Sequence, residues 1–354
     1  MATIGPDVKA GLAAARHERA VPLQLTAPRP VIGWATIGAL CLLLEAYVMI
    51  AWILSPDFAP SPRGTDPIPA LTLFWVRFFE GLSLVAVPVA LWWAWRSSRR
   101  EGRLSLDAII ILAWATLFWQ DPMINWARPA FFYNAYFVNM GNWTNQIPGW
   151  VNPTSHLLPE PLLWMGGMYV WLPPIICGMT VAVMRFAKRQ VPSLGTIGLI
   201  ATGIAFCMLL DLVLEVLWVR SGVYAYPAAI GAFSLSAGEL WQFPVYESIF
   251  WGPMWALTGL LFYFRDDRGH TLVDRGIDRV KAVRFHSAIR LLALIGALNV
   301  GFAVYNVFIL WTTFQVDPTP SGYPSWLRAG QCGEGTPYRC AGPDVPVVIV
   351  PRDR

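Results

Sequence analysis

Asp211 and Glu215 stand four residues apart in an apolar run, 195–219, that carries no other charged residue. On a helix they share a face with Trp218. Two carboxylates one turn apart repel when both are ionised, which sets an acid beside a base. The same two groups could instead tie helices together by pairing with Arg77 or Arg220. A second group is Trp119-Gln120-Asp121-Pro122 with Asn125, in the run 106–126. Asp121 and Asn125 are spaced for one helical face, and Pro122 frees backbone carbonyls to make a polar niche. Alternatively, Asp121 simply meets water at a helix end. The third group runs from Glu239 through Trp241, Pro244 and Tyr246 to Glu247. Pro244 suits a first helical turn, and Glu247 would sit where the helix dipole favours an anion. Arg77 and Glu80, three apart, can pair on one face.

These groups need elements to position them, and the composition says which. Of 354 residues, 56% are hydrophobic and 14% charged, with a mean hydropathy of +0.48 and nineteen tryptophans. A water-soluble domain carries nearer a quarter charged residues, so the main solvent of this chain is expected to be lipid. Seven runs are long enough to cross a bilayer: 31–54, 71–95, 106–126, 163–184, 195–219, 243–264 and 287–314. The expected fold is therefore all-α and polytopic. It comprises an N-terminal tail (1–30), a seven-helix transmembrane domain (31–314) and an irregular C-terminal tail (315–354). The loops at 127–162 and 220–242, rich in aromatics, Pro, Gly and Asn, would lie on the membrane surface or fold back as a lid.

Seventeen Lys and Arg fall in the N-terminal tail, where they are Lys9, Arg16, Arg19 and Arg29, and in every second loop. The other loops and the C-terminal tail hold seven. The positive-inside rule then puts the N-terminus in the cytoplasm and the C-terminus outside. Cys332 and Cys340 fall in the outer tail, where an oxidising compartment would allow them to pair. In this frame Glu45, Glu80, Asp121, Asn125, Glu160, Asp211, Glu215, Glu247 and Asn306 all sit toward the outer side. A bundle would bring them to one chamber. None of the four histidines is central in an apolar run, which argues against a haem held between helices, and the cysteines form no zinc pattern. No cofactor or metal is expected. The net charge of +4 is no nucleic-acid signature. The partners expected are the bilayer and a lipophilic small molecule, with protein partners left open.

The seven-run layout, the Trp119-Gln120-Asp121-Pro122 and Asn125 segment, the aromatic loop from Phe131 to Trp143 and the Glu239–Glu247 segment resemble the spirocyclase AveC family over about residues 30–315. The family is named for the cyclase of avermectin biosynthesis. The resemblance implies stereoselective spiroketal closure of a dihydroxy-ketone, sometimes with dehydration, in a multi-pass protein of a bacterial plasma membrane. It brings no catalytic motif that can be carried over residue by residue.

Spiroketal closure loses water through an oxocarbenium-like cation, which a second hydroxyl then attacks. That chemistry calls for a neutral acid, a carboxylate base and aromatic faces around the cation. From the residues, Asp211 and Glu215 are the expected acid/base pair, with Asp121 or Glu239 opposing them. Glu80, Arg77, Asn125, Trp119, Trp218, Trp241, Tyr246 and Glu247 are the expected substrate contacts. One alternative is a membrane cyclase of the terpene or carotenoid type, although no Asp-rich diphosphate site appears. The other is a non-enzymatic lipid or small-molecule transporter or envelope-complex subunit, against which the lack of internal repeats counts.

Overall fold

A computed structural model describes residues 30–351. The basic N-terminal tail on which part of the expected orientation rests lies outside the described residues. The fold is mostly helical: α1 (Pro30–Ile53), α2 (Ala70–Glu101), α3 (Leu106–Ala115), α4 (Met165–Gln190), α5 (Thr196–Ser221), α6 (Val245–Tyr263), α7 (His286–Thr312) and a single turn, α8 (Ser325–Arg328). Four of them, α1, α2, α4 and α5, are long and apolar enough to cross a membrane, as is the stretch Val283–Gln315 that contains α7. Their outward faces carry exposed Leu43, Tyr47, Ile50, Val85, Leu209, Leu217, Val307 and Phe308. Apolar residues on all sides are what a helix solvated by lipid requires.

Local sequence sets the ends. Ser105 caps α3, its side chain accepting from the Ala108 amide. Gly102 and Gly222 close α2 and α5 in the left-handed conformation (φ 64° and 74°), which a residue with a Cβ adopts at a cost. Arg99 and Arg100 occupy the last turn of α2, the end of the helix dipole that favours cations.

The run expected to be a continuous helix over 106–126 is broken. Regular α-helix stops at Ala115, and Phe118–Asn125 winds as a 3-10 helix around Pro122. The ten residues of α3 rise about 15 Å, half of a bilayer core. Unwound backbone that is buried must find partners. Trp143 Nε1 donates to the Trp119 carbonyl (2.8 Å), and Asn152 Nδ2 donates to the Asn125 carbonyl (2.8 Å).

The aromatic loops fold back as a cap. Two-residue strands β1 (Phe132–Tyr133) and β2 (Tyr224–Ala225) pair antiparallel, as do β3 (Ser234–Leu235) and β4 (Phe243–Pro244). Trp164 is the hub beneath them, stacking on Phe137 (4.8 Å), Phe79 (5.2 Å) and Tyr224 (5.8 Å). The C-terminal segment is irregular apart from α8, yet it is fixed in place. Arg128 donates to the carbonyls of Val347, Gly342 and Val345, the Ile349 amide donates to Ala127, and Cys332 and Cys340 form a disulfide.

Helices α1 and α7 cross with backbones almost touching. A Cβ built on Gly38 would fall 2.0 Å from the Leu292 carbonyl oxygen, and one on Gly296 would fall 2.2 Å from that of Trp34. With no water to expel between helices in lipid, such close small-residue contact carries the association. Gly296→Leu is expected to cost about 1–3 kcal/mol or more through overpacking, read as a lowered Tm in detergent. Gly33→Leu, where nothing lies within 4 Å, should leave Tm unchanged.

Candidate active site

Helices α4, α5, α6 and α7, the short 3-10 helix and the two aromatic loops enclose a cavity. Its volume is about 70 Å³, room for several waters. Asp121, Glu215 and Glu247 line it together with five tyrosines, three tryptophans and two phenylalanines. No Lys, Arg or His is among the lining residues.

Glu215 and Glu247 line the cavity on one side, and Asp211, fully buried, stands beside them without lining it. Asp211 and Glu215 lie one turn apart on α5, and Glu247 enters from the first turn of α6. One carboxylate oxygen from each lies within 4.8 Å of those of the other two, and all three residues are buried. Tyr226 donates to Glu215 (2.9 Å), and Tyr305 donates to Glu247 (3.0 Å). Both oxygens of Asp211 and Oε2 of Glu247 are buried and meet no donor among the described residues. Two carboxyl groups can bond only when one keeps its proton. The trio also offers the all-oxygen donor set that a hard divalent cation takes.

Asp121 lines the cavity from the 3-10 helix. Its Oδ2 accepts from Tyr133 (2.6 Å) and its Oδ1 from Tyr169 (2.8 Å). Against it lies Glu160, fully buried, with Oε2 accepting from Asn142 Nδ2 (3.1 Å). Burial first, then the neighbouring Asp121, pushes the Glu160 carboxyl well above the usual carboxylate range. Burial and adjacent acids likewise hold the hydroxyls of Tyr133, Tyr224 and Tyr226 protonated, so these rings present donors to the acids. Phe131, Trp218, Trp251, Trp255 and Phe302 complete the aromatic lining.

The remaining expected residues lie elsewhere. Glu239 and Trp241 are exposed on the loop before β4 and do not line the cavity. Glu80 is buried, but it accepts from the Val138 amide (2.6 Å) and pairs with Arg77, tying α2 to the aromatic loop. Trp119 turns to α7, where its Nε1 donates to Asn299 Oδ1 (3.1 Å). The Tyr246 hydroxyl accepts from the Ile230 amide (3.3 Å). Asn125 does not share a face with Asp121. A 3-10 helix has three residues per turn, so a four-residue spacing diverges. Asn125 Oδ1 instead accepts from the Ala130 and Phe131 amides (2.8 and 2.9 Å) and so fixes the turn into β1.

Sequence reasoning did not single out Tyr169, Tyr224, Tyr226 and Tyr305, nor Trp251, Trp255 and Phe302. One signal was available for two of them. Glu247, Trp251 and Trp255 recur every four residues, a single helical face. Tyr224 lies in a two-residue strand and Tyr226 just after it, which leaves no periodicity to read.

Asn125→Ala removes both acceptor bonds and strands two buried amides, at an expected cost of about 2–4 kcal/mol. Thermal unfolding in detergent should show the loss, whereas Glu239→Gln should melt like the parent.

No curated protein and no solved structure matches the chain. The sequence family described as spirocyclase AveC-like matches residues 101–327, a stretch that contains every residue lining the cavity. The chain thus belongs to the spirocyclase AveC-like family.

Proposed function

We propose that this protein is a membrane cyclase that closes a spiroketal from a lipophilic, uncharged dihydroxy-ketone inside the aromatic cavity. The observation that carries the reading is the arrangement of carboxyl groups. Glu215 and Glu247, with Asp211 buried beside them, and Asp121 from the 3-10 helix bring carboxyl groups from three elements to one apolar chamber lined by no Lys, Arg or His. Family membership and the apolar helices support a membrane cyclase.

In this mechanism the substrate enters as a hemiketal. A neutral carboxyl of the trio protonates the departing hydroxyl, the C–O bond breaks, and water leaves with the bonding pair. An oxocarbenium cation remains. Trp218, Trp251, Trp255, Phe131 and Phe302 offer π faces to it and hold its substituents in one orientation. The second hydroxyl attacks the cation, and its proton passes to the Asp121 carboxylate. A proton returned to the trio completes the cycle, so the net change is loss of one water. Glycosidases place two carboxyl groups about an oxocarbenium-like transition state for the same reason. A pocket without Lys, Arg or His has nothing to hold a phosphate or carboxylate, which favours a neutral substrate over a prenyl diphosphate.

The proposal includes seven membrane segments, with α3 plus the 3-10 helix as the third and α6 as the sixth. It also places the N-terminus in the cytoplasm of a bacterial cell. The Cys332–Cys340 disulfide supports an extracytoplasmic C-terminal segment. A lipophilic substrate would then reach the chamber through the bilayer.

Asp211→Asn, Glu215→Gln, Glu247→Gln and Asp121→Asn are each expected to lower turnover of a lipophilic dihydroxy-ketone by about 10²-fold or more, with Tm retained. Stereoisomeric excess of the spiroketal, read by chiral chromatography, is the measurement. Full turnover in all four would overturn the assignment, while Glu239→Gln should behave as the parent. Dialysis against EDTA is expected to leave turnover unchanged. Loss of activity restored by Mg²⁺ or Mn²⁺ would make the acidic trio a metal site instead.

A further inference from the structure

Glu160 takes no part in the mechanism above, and it does not line the cavity. It is nevertheless among the most completely buried acids of the chain, with no exposed surface. It sits in the loop just before α4, held by Asn142 on one carboxyl oxygen only. Its other oxygen, Oε1, meets no donor among the described residues. The group beside it is the Asp121 carboxyl. Both oxygens of Asp121 are already engaged by hydroxyl donors, Tyr133 on one and Tyr169 on the other.

Two buried carboxyl groups in contact cannot both be ionised without a cation, and a bond between them needs one proton. The donors decide where it resides. Asp121 accepts from two tyrosine hydroxyls, which favours its charged form. Glu160 accepts only one amide bond. We propose that Glu160 carries the single proton of a Glu160–Asp121 pair and donates it as a third hydrogen bond, so that Asp121 stands as a carboxylate in an apolar chamber. Glu160 is then a positioning residue, acting through Asp121. It sets a carboxylate at Asp121 in the same chamber as the acids of α5 and α6.

The groups facing the pair are Asp121 from the 3-10 helix, Tyr133 from β1 and Tyr169 from α4, with Glu215 on α5. All are acids or phenols, so raising the pH can only add negative charge around the pair. Burial and Asp121 already raise the proton affinity of Glu160. Its proton should leave on the alkaline side, and turnover should fall as it leaves.

The inference rests on the cyclase reading for its kinetic arm only. Infrared spectroscopy of the full-length protein in detergent, titrated with pH, provides an arm that needs no substrate. At neutral pH a Glu160 component of the protonated-carboxyl C=O band is expected, seen as the difference between the parent and Glu160→Gln beside the bands of the α5 and α6 acids, and lost on alkaline titration. If that band is unchanged in Glu160→Gln, the proposal is overturned whatever the enzyme does. In the kinetic arm, Glu160→Gln keeps an N–H donor toward Asp121 while its carbonyl accepts from Asn142. It is expected to stay within about threefold of the parent at neutral pH and to lack the alkaline fall. Glu160→Met, which fills the space without a donor, is expected to lose about 10–100-fold, the worth of a hydrogen bond to a charged group. Glu160→Gln as inactive as Asp121→Asn, or Glu160→Met with the parental pH profile, would also overturn it. If the protein cyclises nothing but the band behaves as expected, the cyclase reading fails and the proton assignment stands.

Discussion

Four carboxyl groups, those of Glu160, Asp211, Glu215 and Glu247, are buried in an apolar bundle beside a fifth, half-buried Asp121, and no Lys, Arg or His lines the chamber among them. An isolated carboxylate in a medium of low polarity is prohibitively costly. The acids of this chain answer that cost with tyrosine hydroxyls and with protons held between neighbouring carboxyl groups. Tyr133 and Tyr169 serve Asp121, Tyr226 serves Glu215 and Tyr305 serves Glu247. The tyrosines in turn need a scaffold, and the aromatic loops supply part of it. The β1–β2 pairing sets Tyr133 opposite Tyr224, and Trp164 stacks beneath them.

The same constraint accounts for the break in the third run. A regular helix through Pro122 would carry Asp121 and Asn125 on one face. The 3-10 winding separates them, so that Asp121 meets the chamber and Asn125 holds the turn into β1. The freed carbonyls of Trp119 and Asn125 are taken up by side chains from the 140s and 150s. The irregular backbone and the cap therefore depend on each other. The cap is in turn braced by the C-terminal segment through Arg128, whose donors are spent on backbone carbonyls and not on an acid of the site.

Burial of acids without cations also narrows what the chamber can hold. An anionic ligand would meet carboxyl groups and the negative faces of aromatic rings, whereas a neutral polyol or a transient cation would meet donors, acceptors and π faces. The aromatic lining is rigid: Trp251 packs against Phe302 (4.9 Å) and Tyr305 (4.8 Å), and Phe131 against Tyr133 (4.7 Å). Such walls can impose one stereochemical outcome on a planar intermediate, because few of them can rotate away.

Much of this was written in the sequence. The length and apolarity of the runs determined helices in lipid, because composition alone decides the solvent of a segment. The four-residue spacing of Asp211 and Glu215 determined that they share a face, because helical geometry is local. Other features were decided only by tertiary structure. Glu239 reads in the sequence much like Glu247, yet one is exposed and the other buried, since a loop's path depends on what it packs against. Glu160 looked like an acid preceding a helix, and only folding of the loop onto the 3-10 helix sets it against Asp121. The five tyrosines come from four segments far apart in the chain, and no periodicity links residues whose proximity is created by long-range packing.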